Sequence, residues 1–150
     1  MTSISKYKLM YKITKNIFMA LLIGAGLLSC NHPAGYNKPD DGLDAGREFI
    51  RAVLDGDYEK AQLYIPRNED DRLFFDRYKT YMRERTPEEL RGLKSSSIIV
   101  NKVEPSGDTL VLINYANSFS KKPMDVKVVR REGEWWVDFK YTFSGNLPAN

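Results

Sequence analysis

The sequence predicts an α+β domain in which N-terminal helices pack on one face of a curved antiparallel sheet of about four strands. Two observations support this fold class. Between residues 44 and 91, apolar side chains recur at the three- and four-residue spacing of amphipathic helices. From residue 97 to residue 143, short runs rich in β-branched and aromatic residues alternate with turn-forming residues, which is typical of a β-meander.

Helical segments are expected at residues 44–55, 57–64, 69–85 and 87–91. Asp44 and Asp57 are suitable caps for the first two, because a carboxylate accepts hydrogen bonds from the free N–H groups of a first turn. The fourth has a capping-box pattern at residues 86–89, with proline at the first helical position. We expect Gly92 to end it.

Strands are expected at residues 97–103, 109–115, 124–131 and 134–143. Glu132 and Gly133 form a two-residue turn between the last two, since glycine adopts the positive φ that such turns require. Strict alternation would send two sets of side chains of the last strand to opposite faces. Trp135, Val137, Phe139, Tyr141 and Phe143 would meet the helices, and Trp136, Asp138, Lys140 and Thr142 would face away.

The N-terminal segment has the pattern of an export signal. Its lysines are followed by an apolar stretch at residues 17–28, then Ser29 and Cys30. This stretch is shorter than the roughly 20 residues that span a bilayer. Cys30 has no cysteine partner in the chain. Residues 27–30 resemble the lipobox of Gram-negative lipoproteins, which implies cleavage before Cys30 and a diacylglyceryl group on its sulfur.

We therefore expect a signal peptide at residues 1–29, a lipidated tether at 30–42 and a globular domain at 43–150. The resemblance also implies a destination. In such lipoproteins an aspartate after the cysteine favours the inner membrane, and this chain has Asn31 there. We expect an outer-membrane lipoprotein held in the membrane through Cys30, and leave open whether it faces the periplasm or the cell surface.

The charge of the mature chain argues against nucleic-acid binding. Residues 1–29 hold four lysines and no acidic residue, so their removal lowers the basic count from 23 to 19, against 20 acidic residues. A domain without excess positive charge lacks the electrostatic signature of a nucleic-acid-binding protein.

Three segments resemble a known superfamily, the nuclear-transport-factor-2-like domains. Residues 49–61 resemble their opening helices and residues 132–138 their final hairpin. Together with residues 114–118, the pattern resembles small bacterial lipoproteins that are grouped in that superfamily under a domain of unknown function. The resemblance covers about residues 43–143. It implies a cone-like fold that often dimerises through its sheet, so a homodimer is expected.

No catalytic residue, metal site or cofactor is assigned from the sequence. Some members of the superfamily use an acidic or histidine base, but no matching set is found here. The acidic run at residues 69–71 lacks the alternating ligands of a calcium loop. His32, the only histidine, lies on the tether.

Two classes of function remain open. The first and favoured one is a non-enzymatic interaction module that binds an envelope protein or glycan through an exposed surface formed by Trp136, Asp138 and Lys140. The second is a small-ligand-binding protein or pocket enzyme, whose candidate pocket wall contains Tyr78, Tyr81, Tyr115, Trp135 and Tyr141.

Overall fold

A computed structural model describes residue 36 and residues 38–144. These residues form five helices and one antiparallel sheet of four strands, which confirms the α+β prediction. In chain order the elements are α1 (Gly42–Asp55), α2 (Tyr58–Gln62), α3 (Glu69–Arg83), α4 (Pro87–Lys94), β1 (Ile98–Ser106), β2 (Leu110–Asn117), β3 (Met124–Arg131), β4 (Glu134–Val137) and α5 (Phe139–Phe143). The cone-like shape stays a prediction.

Polar side chains fix where the helices begin. The carboxylate of Asp41 accepts a hydrogen bond from the backbone N–H of Asp44 at 2.8 Å, so α1 begins at Gly42, slightly earlier than predicted. The predicted capping box of α4 is present, with reciprocal hydrogen bonds between Thr86 and Glu89. This helix continues to Lys94 and does not end at Gly92 as expected.

The four strands pair in chain order, each with its neighbour. Glu132 and Gly133 have φ values of 54° and 82°, which confirms the tight turn predicted between β3 and β4. The inner face of the sheet carries buried side chains, and α1 lies across it in contact with all four strands. The inner-face residues are Val111, Ile113, Tyr115, Val126, Val128 and Val137.

The predicted final strand over residues 134–143 is wrong beyond Val137. The carboxylate of Asp138 accepts a hydrogen bond from the backbone N–H of Tyr141 at 3.0 Å and caps α5. Phe139 and Phe143 are four residues apart and share one face of this helix, where both are buried in the core. Tyr141 points elsewhere and is 52% exposed.

Residues 35–150 form one compact unit, and the hydrophobic core built by the helices and the inner sheet face lies within it. We therefore expect this unit to fold without residues 1–34. None of the described helices has both the length and the apolar character needed to cross a bilayer.

Candidate functional site

A cavity of about 250 Å³ lies at the end of the domain where α1, α3 and α4 approach the sheet. The last turn of α1 and the C-terminal end of α3 contribute apolar and aromatic walls. The end of β2, the loop at residues 118–123 and the start of β3 form the opposite side. Its lining consists of Val53, Leu54, Tyr78, Tyr81, Met82, Arg85, Glu89, Leu93, Tyr115, Asn117, Phe119, Ser120, Lys122, Met124 and Phe143.

The structure places three of the five candidate pocket residues on this wall, namely Tyr78, Tyr81 and Tyr115. The other two do not line the cavity, which corrects the sequence-based expectation. Trp135 packs at the opposite end of α1, where its ring would lie 3.0 Å from a Cβ added to Gly42. Tyr141 was expected on a strand, but it lies on the exposed side of α5.

The deep part of the wall presents tyrosine hydroxyl groups in an apolar environment. Burial raises the pKa of Tyr115 to about 12, and burial raises the pKa of Tyr78 still further. Both hydroxyls are therefore neutral near pH 7 and able to donate hydrogen bonds. The Tyr115 hydroxyl lies 3.9 Å from the Met124 sulfur, a weak acceptor.

Three of the described lining residues are charged: Arg85, Glu89 and Lys122. Arg85 Nη1 lies 2.8 Å from Glu89 Oε1, and its guanidinium group stacks 4.6 Å from the centre of the Tyr81 ring. The other Glu89 oxygen accepts hydrogen bonds from the backbone N–H and hydroxyl of Thr86. These backbone and side-chain hydrogen bonds lower the pKa of Glu89, which is therefore ionised near neutral pH.

Phe119 and two residues of α4, Glu89 and Leu93, form a partly exposed section of the cavity lining. A Cβ added to Gly92 would lie 2.3 Å from the Phe119 ring, so the ring rests directly on the backbone of α4. Phe119 is nevertheless 48% exposed, and none of the residues of α4 is fully buried. Arg51 holds the end of this helix by donating to the carbonyl oxygens of Ser96 and Lys94 at 2.7 and 3.1 Å.

The predicted interaction surface is only partly assembled. Trp136 lies half-buried on the outer face of the sheet, in register with Val129, which in turn pairs with Leu110. Asp138 points to the same side of the sheet and pairs with Lys127 at 3.0 Å.

Lys140 does not belong to that surface, contrary to prediction, because the chain has turned into α5. Its Nζ atom lies 2.7 Å from Asp70 Oδ2 at the start of α3. The surface predicted from strand alternation therefore retains only Trp136 and Asp138. On the same outer face, Trp136 forms an apolar row with Val129 and Leu110.

Sequence analysis missed Arg85, Glu89, Phe119 and Lys122 as site residues. Arg85 and Glu89 form an ion pair, but Arg85 precedes the Thr86 cap of α4, so the spacing rule for charges within one helix could not have predicted the pair. Phe119 and Lys122 lie in a loop, where no periodicity indicates the direction of a side chain.

Cys30, His32 and the proposed signal segment lie outside the described residues. Among the described residues no group of three or more histidine, cysteine, aspartate or glutamate side chains is placed to hold a metal ion.

Comparison with known proteins identifies no relative: no family model, no curated protein and no solved structure matches this chain. The resemblance to nuclear-transport-factor-2-like domains stays a prediction.

Proposed function

We propose that this protein is a lipid-anchored protein of the Gram-negative outer membrane whose globular domain binds a small, largely apolar molecule. Binding is proposed without chemical conversion of the ligand. The observation that carries the proposal is the cavity of about 250 Å³ between the helices and the sheet. Of the two function classes that the sequence leaves open, this cavity favours ligand binding.

The lining of the cavity supports this class, and its volume limits the size of the ligand. Small-molecule sites are concave, mostly apolar and equipped with a few polar groups, usually at volumes of about 300–1,000 Å³. An apolar cavity of about 150 Å³ already accepts benzene. A volume of about 250 Å³ therefore suits one aromatic ring or an equivalent aliphatic group with a short extension.

Native mass spectrometry of residues 35–150, purified from cells with a Gram-negative envelope, tests the proposal. We expect a defined extra mass that is lost under denaturing conditions. Leu93→Trp should abolish it, because Leu93 lines the cavity and indole would fill the space. Leu90→Trp is the matched control on the same helix, since Leu90 is 37% exposed and does not line this cavity.

An unliganded mass for the wild-type domain, together with equal binding of small aromatic probes by Leu93→Trp and Leu90→Trp, would contradict the proposal. Loss of the extra mass from both variants would also contradict it, because the effect would then not depend on the cavity.

The membrane part of the proposal rests on the sequence pattern around Cys30. Anchoring by two or more acyl chains would hold the domain stably, since each buried methylene contributes about 0.8 kcal/mol. The tether would let the domain extend up to roughly 40 Å from the bilayer. Cys30→Ala in the full chain should abolish lipid attachment, as judged by the mass of the N-terminal peptide. An unmodified Cys30 in the wild-type protein would refute the proposed lipid anchor.

A second candidate is favoured by the apolar row on the outer sheet face. Tryptophan is enriched at binding hot spots, and half-buried Trp136 lies beside Val129 on this face. The occupant would be an envelope protein or glycan. Trp136→Ala should then reduce cross-linked capture of that partner while the bound small molecule remains. Ile99→Ala, on the edge strand β1, is the control. Sedimentation velocity distinguishes the expected homodimer from a heterologous partner.

A further inference from the structure

We propose that the molecule bound in the cavity carries a carboxylate beside its apolar part, and that Lys122 and Arg85 bind this carboxylate at the cavity mouth. The inference rests on the proposed function and adds the chemical class of the ligand.

The charges around the cavity favour an anion. Lys122 and Arg85 outnumber the single lining acid, Glu89. Both oxygens of Glu89 are already engaged, one by Arg85 and the other by Thr86. Among the described residues Lys122 takes part in no ion pair. Within the part of the chain that the structure describes, the cavity therefore carries one positive charge without a protein counter-ion.

Arg85 can bind the carboxylate of the ligand while it remains paired with Glu89. A guanidinium group has five N–H donors, and the ion pair with Glu89 occupies only one of its nitrogens. Stacking on Tyr81 holds the plane of the group. A fixed guanidinium plane suits carboxylate, whose two oxygens match the spacing of paired N–H donors.

Lys122 is carried by a loop with a defined conformation. The side chain of Asn117 accepts a hydrogen bond from the backbone N–H of Ser120 at 2.8 Å and donates one to its hydroxyl at 2.9 Å. The backbone N–H of Lys121 then bonds to the Asn117 carbonyl at 2.9 Å. These contacts fix the backbone that leads into Lys122, a residue of the cavity lining.

The interior of the cavity is compatible with the apolar part of such a ligand. Tyr78 and Tyr115 present aromatic faces and neutral hydroxyls, which do not repel an anion. A cationic ligand would instead place its charge beside Arg85 and Lys122, which is unfavourable. The lining thus selects an amphipathic acid over an amine of the same shape.

Isothermal titration calorimetry of residues 35–150 tests the inference with phenylpropanoate and the neutral phenylpropanol, which share the same ring and chain. We expect the carboxylate to bind about tenfold more tightly than the alcohol, since hydrogen bonds to charged groups are the stronger class. Lys122→Gln should remove most of this preference and leave the affinity for the alcohol unchanged. Lys121→Gln is the matched control, because Lys121 is the adjacent lysine and does not line the cavity.

Equal affinities of the wild-type domain for the two compounds would overturn the inference but leave the ligand-binding function standing. The same loss of preference in Lys121→Gln as in Lys122→Gln would also overturn it, because the effect would then come from the net charge of the loop. If the wild-type domain binds neither compound, the inference is also overturned. Native mass spectrometry of the purified domain then still decides the proposed function.

Discussion

Replacing Gly92 by alanine is a direct test of the cavity mouth, because the new Cβ would occupy the place of the Phe119 ring. It would lie 2.3–2.6 Å from three ring atoms, so the ring must move away. Phe119 is 48% exposed and can turn towards solvent. Gly92→Ala should therefore open the entrance and speed both entry and release of a bound probe.

Two opposing terms set the effect on stability. Alanine in place of a helical glycine is favourable by about 0.5–1 kcal/mol. Displacing Phe119 exposes the half of its ring that is now covered, which costs about 1 kcal/mol from the 1.5–3 kcal/mol of full burial. The free energy of unfolding should thus change by less than about 1 kcal/mol. In a Phe119→Ala background the same change should be stabilising, giving a coupling energy of about 1 kcal/mol.

Gly46→Ala is the contrasting variant, because its Cβ would lie 2.2 Å from Ile113 Cδ1 inside the core. Ile113 is fully buried and cannot move into solvent. Overpacking costs about 1–3 kcal/mol, so this variant should be destabilised despite the gain in helix propensity. Urea denaturation of the wild-type domain, Gly92→Ala, Phe119→Ala, their double variant and Gly46→Ala measures both effects, with ligand exchange followed by NMR. Coupling below about 0.3 kcal/mol between Gly92 and Phe119 would refute the reasoning.

Three further outcomes are expected from urea denaturation. Asp71→Ala should lower the free energy of unfolding by about 2–3 kcal/mol, because buried Asp71 accepts the backbone N–H of Lys140 at 2.9 Å. Thr86→Ala should lower it by about 1 kcal/mol and speed amide exchange in α4, since the capping box with Glu89 is lost. Burial raises the pKa of Tyr115 from 10.0 to about 12 in the folded protein. The unfolded chain therefore loses the hydroxyl proton at a lower pH than the folded chain, so the free energy of unfolding should fall as the pH rises from 10 to about 12. Tyr115→Phe should weaken that dependence.

Local signals were sufficient to predict most of the fold. The capping box at Thr86 and the turn at Glu132 and Gly133 each depend on residues within four positions, and the structure contains both. The end of β4 was not predictable in this way. Phe139 and Phe143 satisfy the period of a strand and that of a helix equally, so alternation alone could not separate the two.

A long-range contact favours the helix over the strand at residues 139–143. Asp71 accepts the N–H of Lys140, which is 69 residues away in sequence, and buries its carboxylate at the start of α5. If the chain continued as a strand beyond Val137, the Asp71 carboxylate would not receive the hydrogen bond from the backbone N–H of Lys140. The misplacement of Tyr141 and Lys140 in the predicted sites follows from the turn of the chain into α5, which this contact and the Asp138 cap both stabilise.

The cavity itself combines predictable and unpredictable parts. Tyr78 and Tyr115 lie on it because each occupies the inner face of a regular element, where periodicity sets the direction of a side chain. Phe119 and Lys122 are placed by the hydrogen bonds of Asn117 within a loop, which no repeat predicts.

Helix α4 is anchored differently from the other elements that form the cavity. Helices that are anchored by buried side chains cannot move without exposing the core, but α4 has no fully buried residue. It is retained by Arg51 at its C-terminal end, by the Phe119 ring resting on Gly92 and by half-buried Leu93, which packs against the core. Displacing this helix therefore breaks the two Arg51 hydrogen bonds, the Phe119 contact and the packing of Leu93, but no fully buried side chain of α4 is exposed. The part of the cavity wall that α4 forms is thus anchored by fewer buried side chains than the parts formed by α1, α3 and the sheet.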